Sequence, residues 1–344
     1  SVLRATLDST QEFRSTTSGA TADQGRSSGA QISLVTKSGT NQFHGSGYYV
    51  RRDTRFSANT FFNNASGVKR PPLEIQVPGG SIGGPIQKNK AFFFLNYEHR
   101  RDNSEANVSR TVPSMDMRRG TVAYLNAARQ TVRLTPQDIQ TRIDPRGIGV
   151  SAASLAVLQR YPEPNDFTLG DGLNIVGYRF TAPLALRWNT YISKFDYNLD
   201  DKHSFFWRGQ MQNDRSIDPP QFPGQPPRIV RLNNAKGHVL GHTALIKPTF
   251  ISTFRYGLTR QSFENTGVQS ESAISYRNID DLNALTRGVS RQLPVHNITQ
   301  DFSWTKGSHD IRFGGVMKWV ENRSRNFNNS FNAAFTNLSW LRGT

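Results

Sequence analysis

The sequence contains no cysteine in 344 residues, which removes disulfide frameworks, thiolate metal centres and cysteine nucleophiles together. It also lacks long hydrophobic runs. The apolar fraction is 35% and the mean hydropathy −0.57, and no stretch approaches the ~20 apolar residues of a membrane helix. A membrane strand needs only ~9–11 residues, with alternate ones facing lipid, so a β-barrel remains compatible. Acidic residues are few, 26 against 42 Lys plus Arg, for a net charge of +16. That balance raises nucleic acid or anionic surfaces as partners, but there is no polybasic run. The arginines are scattered singly or in pairs such as Arg51-Arg52, Arg100-Arg101 and Arg118-Arg119, which suits a polar lumen or rim as well as DNA. The start, Ser1 to Asp8, has neither an initiator methionine nor the pattern of a signal peptide. The chain reads as an internal stretch of something longer.

Aromatics are plentiful for so polar a chain: 22 Phe, 10 Tyr and 5 Trp. Aromatic girdles of a membrane barrel account for that combination, and a β-sandwich core is the ordinary alternative. The aromatics fall in alternating runs. Phe93, Leu95 and Tyr97 share one strand face, with Asn96 and Glu98 on the other. His203, Phe205, Trp207 and Met211 oppose Ser204, Arg208, Gln210 and Gln212, Phe206 being the exception. Phe254, Tyr256 and Leu258 oppose Thr253, Arg255 and Thr259, and Ile311, Phe313, Met317 and Trp319 oppose Arg312 and Lys318. The spacing predicts about nine such strands after residue 42, joined alternately by short turns and long loops. A sandwich has no reason to place every long loop at one end, whereas outer-membrane barrels do so. The longest insertion, 101–186, carries short helical signals: Thr135-Pro136 as a cap with proline at the first helical position, and Ser151–Arg160 with Leu155 and Leu158 at helical spacing.

The chain is organised around Gly25 to Val50. Ala30–Lys37 and Phe43–Arg52 read as strands, with Ser38-Gly39-Thr40-Asn41 as the turn between them, Gly39 free to take positive φ and Asn41 able to bond its own backbone. A valine-containing strand, then Thr36-Lys37-Ser38-Gly39-Thr40-Asn41, then Phe43-His44-Gly45, with Gln11-Glu12-Phe13-Arg14 upstream, resembles the plug-to-barrel junction of TonB-dependent outer-membrane receptors, in the Oar-like subgroup. The match is specific over this stretch and looser beyond it; 142–165 also resembles a loop segment of that subgroup. The resemblance implies an all-β fold: a partial, open antiparallel transmembrane barrel with a C-terminal piece of plug. Residues 1–40 would end the plug, 41–344 would begin the barrel, and 101–186 would be a long extracellular loop region. The junction residues are Gly25, Arg26, Thr36, Lys37, Ser38, Gly39, Thr40, Asn41, Phe43, His44 and Gly45. The implied work is energy-coupled passage of a bulky substrate across the bacterial outer membrane, without covalent chemistry or cofactor. Its partners would be outer-membrane lipid, an unknown substrate at the extracellular loops, and a TonB-type energy complex acting on a region outside this stretch. The alternative is a β-barrel surface adhesion or structural protein without active transport. A basic nucleic-acid-binding β-protein ranks below both, since no basic–aromatic repeat resembles a known module.

Other motifs yield to plainer readings. Gly79-Gly80-Ser81-Ile82-Gly83 has the spacing of a nucleophile elbow, but Gly84-Pro85 and more strand follow where that motif needs a helix. His238 and His242 would lie roughly 13 Å apart on a strand, too far for one ion. Glu98, Glu163, Asp196 and Asp301 are isolated, and Asp200-Asp201 reads as a turn rather than a calcium site.

Overall fold

Alternation of aromatic with polar residues builds strands because each strand offers one face to each of two environments. The computed structural model describes residues 3–16, 31–65, 67–267, 273–284, 287–328 and 332–335. β1 (Thr10–Thr16) and β2 (Gln31–Thr36) form a separate antiparallel pair. The main sheet then runs through β3 (His44–Asp53), β4 (Leu73–Gln87) and β5 (Ala91–Pro113). A long loop carries the small hairpin β6 (Val122–Leu125) and β7 (Thr131–Leu134) before β8 (Ile175–Asn198) and β9 (His203–Ile217) return to the sheet. β10 (Val230–Asn233) and β11 (Lys236–Lys247) together fill one position between β9 and β12 (Phe250–Thr266). β13 (Ala273–Tyr276) lies in the next loop. β14 (Arg287–Lys306) pairs with both β15 (His309–Val320) and β16 (Arg323–Asn328), and β17 (Asn332–Phe335) pairs in parallel with β13. The described sheet therefore has nine strand positions, each antiparallel to its neighbour, as the sequence pattern predicts.

The four connections at one end are tight. Asp200 serves its turn by accepting the Lys202 and His203 N–H groups, and Asn89 takes positive φ. The connections at the other end, 54–72, 114–174, 218–229 and 267–286, are long. The insertion expected at 101–186 is shorter than that. β5 and β8 stay paired without a bulge from Ala91↔Tyr197 to Pro113↔Ile175, so the sheet continues well into it. Twenty-three residues of β5 extend about 76 Å, or ~58 Å along the membrane normal at a tilt of ~40°. A hydrocarbon core of ~30 Å leaves about half of that ladder in water. There the outer face meets water instead of lipid, and the aromatic alternation that marks a strand in sequence fades.

The long loops share a core. Val112, Met117, Leu158, Tyr161, Val176, Phe222, Tyr276, Ile279 and Leu282 pack together from three loops and the two longest strands. Leu158 belongs to the predicted helix, here Ala152–Gln159 with Ser151 as its cap. Thr135 caps the helix Pro136–Asp138, with Pro136 in its first turn, as expected, and Asp138 completes a capping box. Asp144 accepts the N–H groups of Gly149, Arg146 and Ile148, which hold its carboxyl below the usual range. Arg110 reaches the carbonyls of Pro220 and Gln221, and Asp280 caps Thr111. These three loops are thus one packed cap rather than separate tethers.

Candidate functional site

The two faces of the sheet divide as the alternation predicts. On the outer face Phe195 stacks on Trp207, Phe250 on Phe302, Phe302 on Phe313 and Tyr97 on Tyr191, with Leu240 and Met317 half-exposed between. From Trp304 to His296 on β14 is ~26 Å along the strand, or ~20 Å along the membrane normal at a tilt of ~40°, most of the ~25 Å apolar band of outer-membrane barrels. The inner face is polar and buried: Asn96, Thr190, Gln210, Gln212 and Asp214 all lie there. Phe206, the exception in its strand's pattern, turns inward and covers Gly241, with the Lys194 ammonium near its ring.

What buries that inner face is the N-terminal segment. Leu3 packs on Gly237 of β11. Arg4 pairs with Asp214 of β9 at 2.7 Å, donates to Thr190 of β8, stacks 3.9 Å over Trp188, and offers its carbonyl to Gln210. Thr6 donates to Asn96 of β5 at 2.7 Å. Asp8 accepts from Ser46 of β3 at 2.6 Å and from Lys37 at 3.2 Å. From Leu3 to Asp8 the chain crosses the strands from β11 to β3, its contacts Gly237, Gln210, Asn96 and Ser46 lying along one register row. Little in the sequence signals this role, because Ser1–Asp8 has no periodicity and Leu3, Arg4, Thr6 and Asp8 each meet a different strand.

The expected junction residues are brought to the short-turn end of the same face, apart from Gly25 and Arg26, which lie outside the described residues. Thr36 is buried opposite Thr10, and Lys37 holds Asp8. Ser38 accepts a hydrogen bond from Lys194 of β8. Gly39 differs from expectation. Its φ is not positive; glycine is required because a Cβ would meet the Phe93 carbonyl oxygen and lie 2.6 Å from that of Gly84. Thr40 bonds Gln42, and Asn41 does not bond its own backbone: it exchanges hydrogen bonds with Asn89 in the β4–β5 turn. Phe43 lies over Gly84 and 6.3 Å from Phe93. His44 pairs with Gly83 and Gly45 with Ile82 in the first ladder.

Gly39 gives a sharp test. Gly39→Val should unseat the segment by about 1–3 kcal/mol of overpacking, raising amide exchange at Thr6–Ser9 several-fold or more. Gly47→Val, whose Cβ position meets nothing within 4 Å, should leave that exchange unchanged. Equal exchange in the two variants would refute the close approach.

The remaining motifs stay structural. Ser81 sits mid-strand beside Ser46, at 2.9 Å, with strands paired on both sides. His238 stacks on Trp207, while His242 stacks on Phe205 and lies 3.1 Å, nitrogen to nitrogen, from His203. That pair is cross-strand and invisible to spacing along the chain. Among the described residues no group of three or more His, Cys, Asp or Glu converges.

A protein-family model, described as an outer membrane beta barrel domain, matches residues 35–342. A search of curated proteins finds no match.

Proposed function

Because the chain belongs to the outer membrane beta barrel domain family and so resides in the bacterial outer membrane, we propose that it is part of a TonB-dependent receptor of the Oar-like kind. In that reading residues 1–40 are the end of a plug, whose described part at Leu3–Asp8 lies on the inner face of the wall, and the packed loop cap faces outside as the substrate-binding surface. One observation carries it: a non-barrel segment fills the inner face through a few polar contacts, Arg4–Asp214, Thr6–Asn96 and Asp8–Ser46, with little apolar burial. Contacts of that kind hold a segment yet leave it removable, as energy-coupled transport requires. The junction wording around Thr36–Gly45 supports the same reading. The cohesion of the cap favours the second reading, a surface adhesion or structural barrel without transport.

The absence of cysteine from these residues permits a clean test in the full-length protein. Ser9, a residue of the segment itself and only 2% exposed, is replaced by cysteine, and cells in complete medium are treated with a thiol reagent. Labelling that appears in energised cells and disappears with a protonophore supports transport. Equal protection in both states supports the adhesion reading.

A further inference from the structure

We propose that the outer face of the wall, just beyond its aromatic band, binds the phosphorylated saccharide headgroup of an outer-leaflet glycolipid. The inference begins with an arrangement that sheets normally avoid. Arg101 of β5 lies directly opposite Arg187 of β8, and Arg187 directly opposite Arg215 of β9. Like charges in facing positions of adjacent strands repel. All three side chains are exposed, and none makes a hydrogen bond or ion pair among the described residues. Unbroken register places Arg101 on the same face as Leu95 and Tyr97. A row of three guanidinium groups with no protein partner is a site for external anions, and planar, forked donors suit phosphate oxygens.

Height along the strand says which anions meet it. Tyr97 stacks on Tyr191 and its hydroxyl donates to Asn189, the position where a membrane-facing aromatic meets water. Arg101 is four residues further from the short turns, ~13 Å along the strand, at the level of lipid phosphates. Another four residues on opens a cleft of about 920 Å³, within the ~300–1,000 Å³ of small-ligand sites. Its wall continues the same outer face: Glu105 and Asn107 of β5, Arg179 and Thr181 of β8. Lys69 and Arg70 close its side. The Asn107 amide nitrogen is buried and unpartnered, and Lys69 makes no ion pair among the described residues. Arg179, by contrast, is committed to Asp166 at 2.7 Å. Free amide donor, carboxylate, hydroxyl and ammonium together match a polyhydroxylated ring rather than a bare anion. Phosphate below and sugar above is the order in which a phosphorylated glycolipid presents them when anchored beside the wall.

The test uses the full-length protein in phosphatidylcholine nanodiscs doped with lipopolysaccharide, with phosphate-stripped lipopolysaccharide, or with phosphatidylglycerol. Wild type should retain lipopolysaccharide best. Arg101→Gln/Arg187→Gln/Arg215→Gln should weaken retention about tenfold, ~1.4 kcal/mol. Asn107→Leu should weaken lipopolysaccharide but not phosphatidylglycerol. Unchanged heat-modifiability on gels verifies that each variant folds, and Arg187→Gln alone, expected to show a smaller loss, replaces the triple variant if that one does not. Wild-type retention by the arginine variants overturns the proposal. So does equal retention of lipopolysaccharide and phosphatidylglycerol with no effect of Asn107→Leu, which would mean a non-selective anionic patch.

Discussion

Leu240→Arg should largely prevent the protein from reaching its folded state in a bilayer, while Thr243→Arg on the same strand should be tolerated. Leu240 is 50% exposed on the outer face of β11, opposite Trp207 on one side and Tyr256 on the other. Arginine there meets hydrocarbon, at a cost of ~2–4 kcal/mol near the midplane. That is enough to lower the folded-to-unfolded ratio more than tenfold. Thr243 has the opposite parity, facing inward between Ser204 and Thr253, where a guanidinium keeps its water. Urea titration in vesicles, read by heat-modifiability on gels, measures the difference. Equal midpoints would mean that the two faces have been exchanged.

A second large effect is expected when residues 1–344 are produced alone. β3 pairs only with β4, and β15 only with β14, so each leaves its far side unpaired among the described residues. Alternate residues of the ten in β3 and the twelve in β15 then direct N–H and C=O groups outward. In a hydrocarbon phase each costs several kcal/mol; in water the edge is a template for another chain, beside a broad aromatic face. The product should aggregate on refolding, or enter detergent without a cooperative denaturant transition. Chromatography and a urea melt decide it. A monodisperse monomer with one sharp transition would contradict the barrel-wall reading.

The readable part of this fold was the part lipid touches. β15 is strand throughout, and its alternation of Ile311, Phe313, Met317 and Trp319 with Arg312 and Lys318 is legible because it stays close to the aromatic band. The misreadings fall where strands leave that band. Arg101–Pro113 and Ile175–Leu186 are strand, yet their outer face meets water instead of lipid and carries no aromatic band, so the alternation that marks the other strands fades. At the junction the residue types were legible but not their reasons. Gly39 read as a turn glycine, whereas its constraint comes from the backbone of Phe93 and Gly84, more than forty positions away in sequence. Arg101, Arg187 and Arg215 looked like dispersed charge until strand register set them side by side. Facts of that kind exist only between strands.

The crosswise path of Leu3 to Asp8 also fixes how the segment responds to load. Two strands pulled along their length in a ladder resist in shear, with many bonds strained together. A chain lying across the strands presents its attachments in series. Tension entering at Leu3 reaches the packing on Gly237 first, then Arg4 at Asp214, then Thr6 at Asn96, and only afterwards Asp8 at Ser46. Each attachment fails before the next is strained, so the peak force is that of the strongest single contact and not of their sum. The Arg4–Asp214 pair, with its guanidinium also stacked on Trp188, is the natural first barrier, and the wall's own hydrogen bonds carry almost none of the tension.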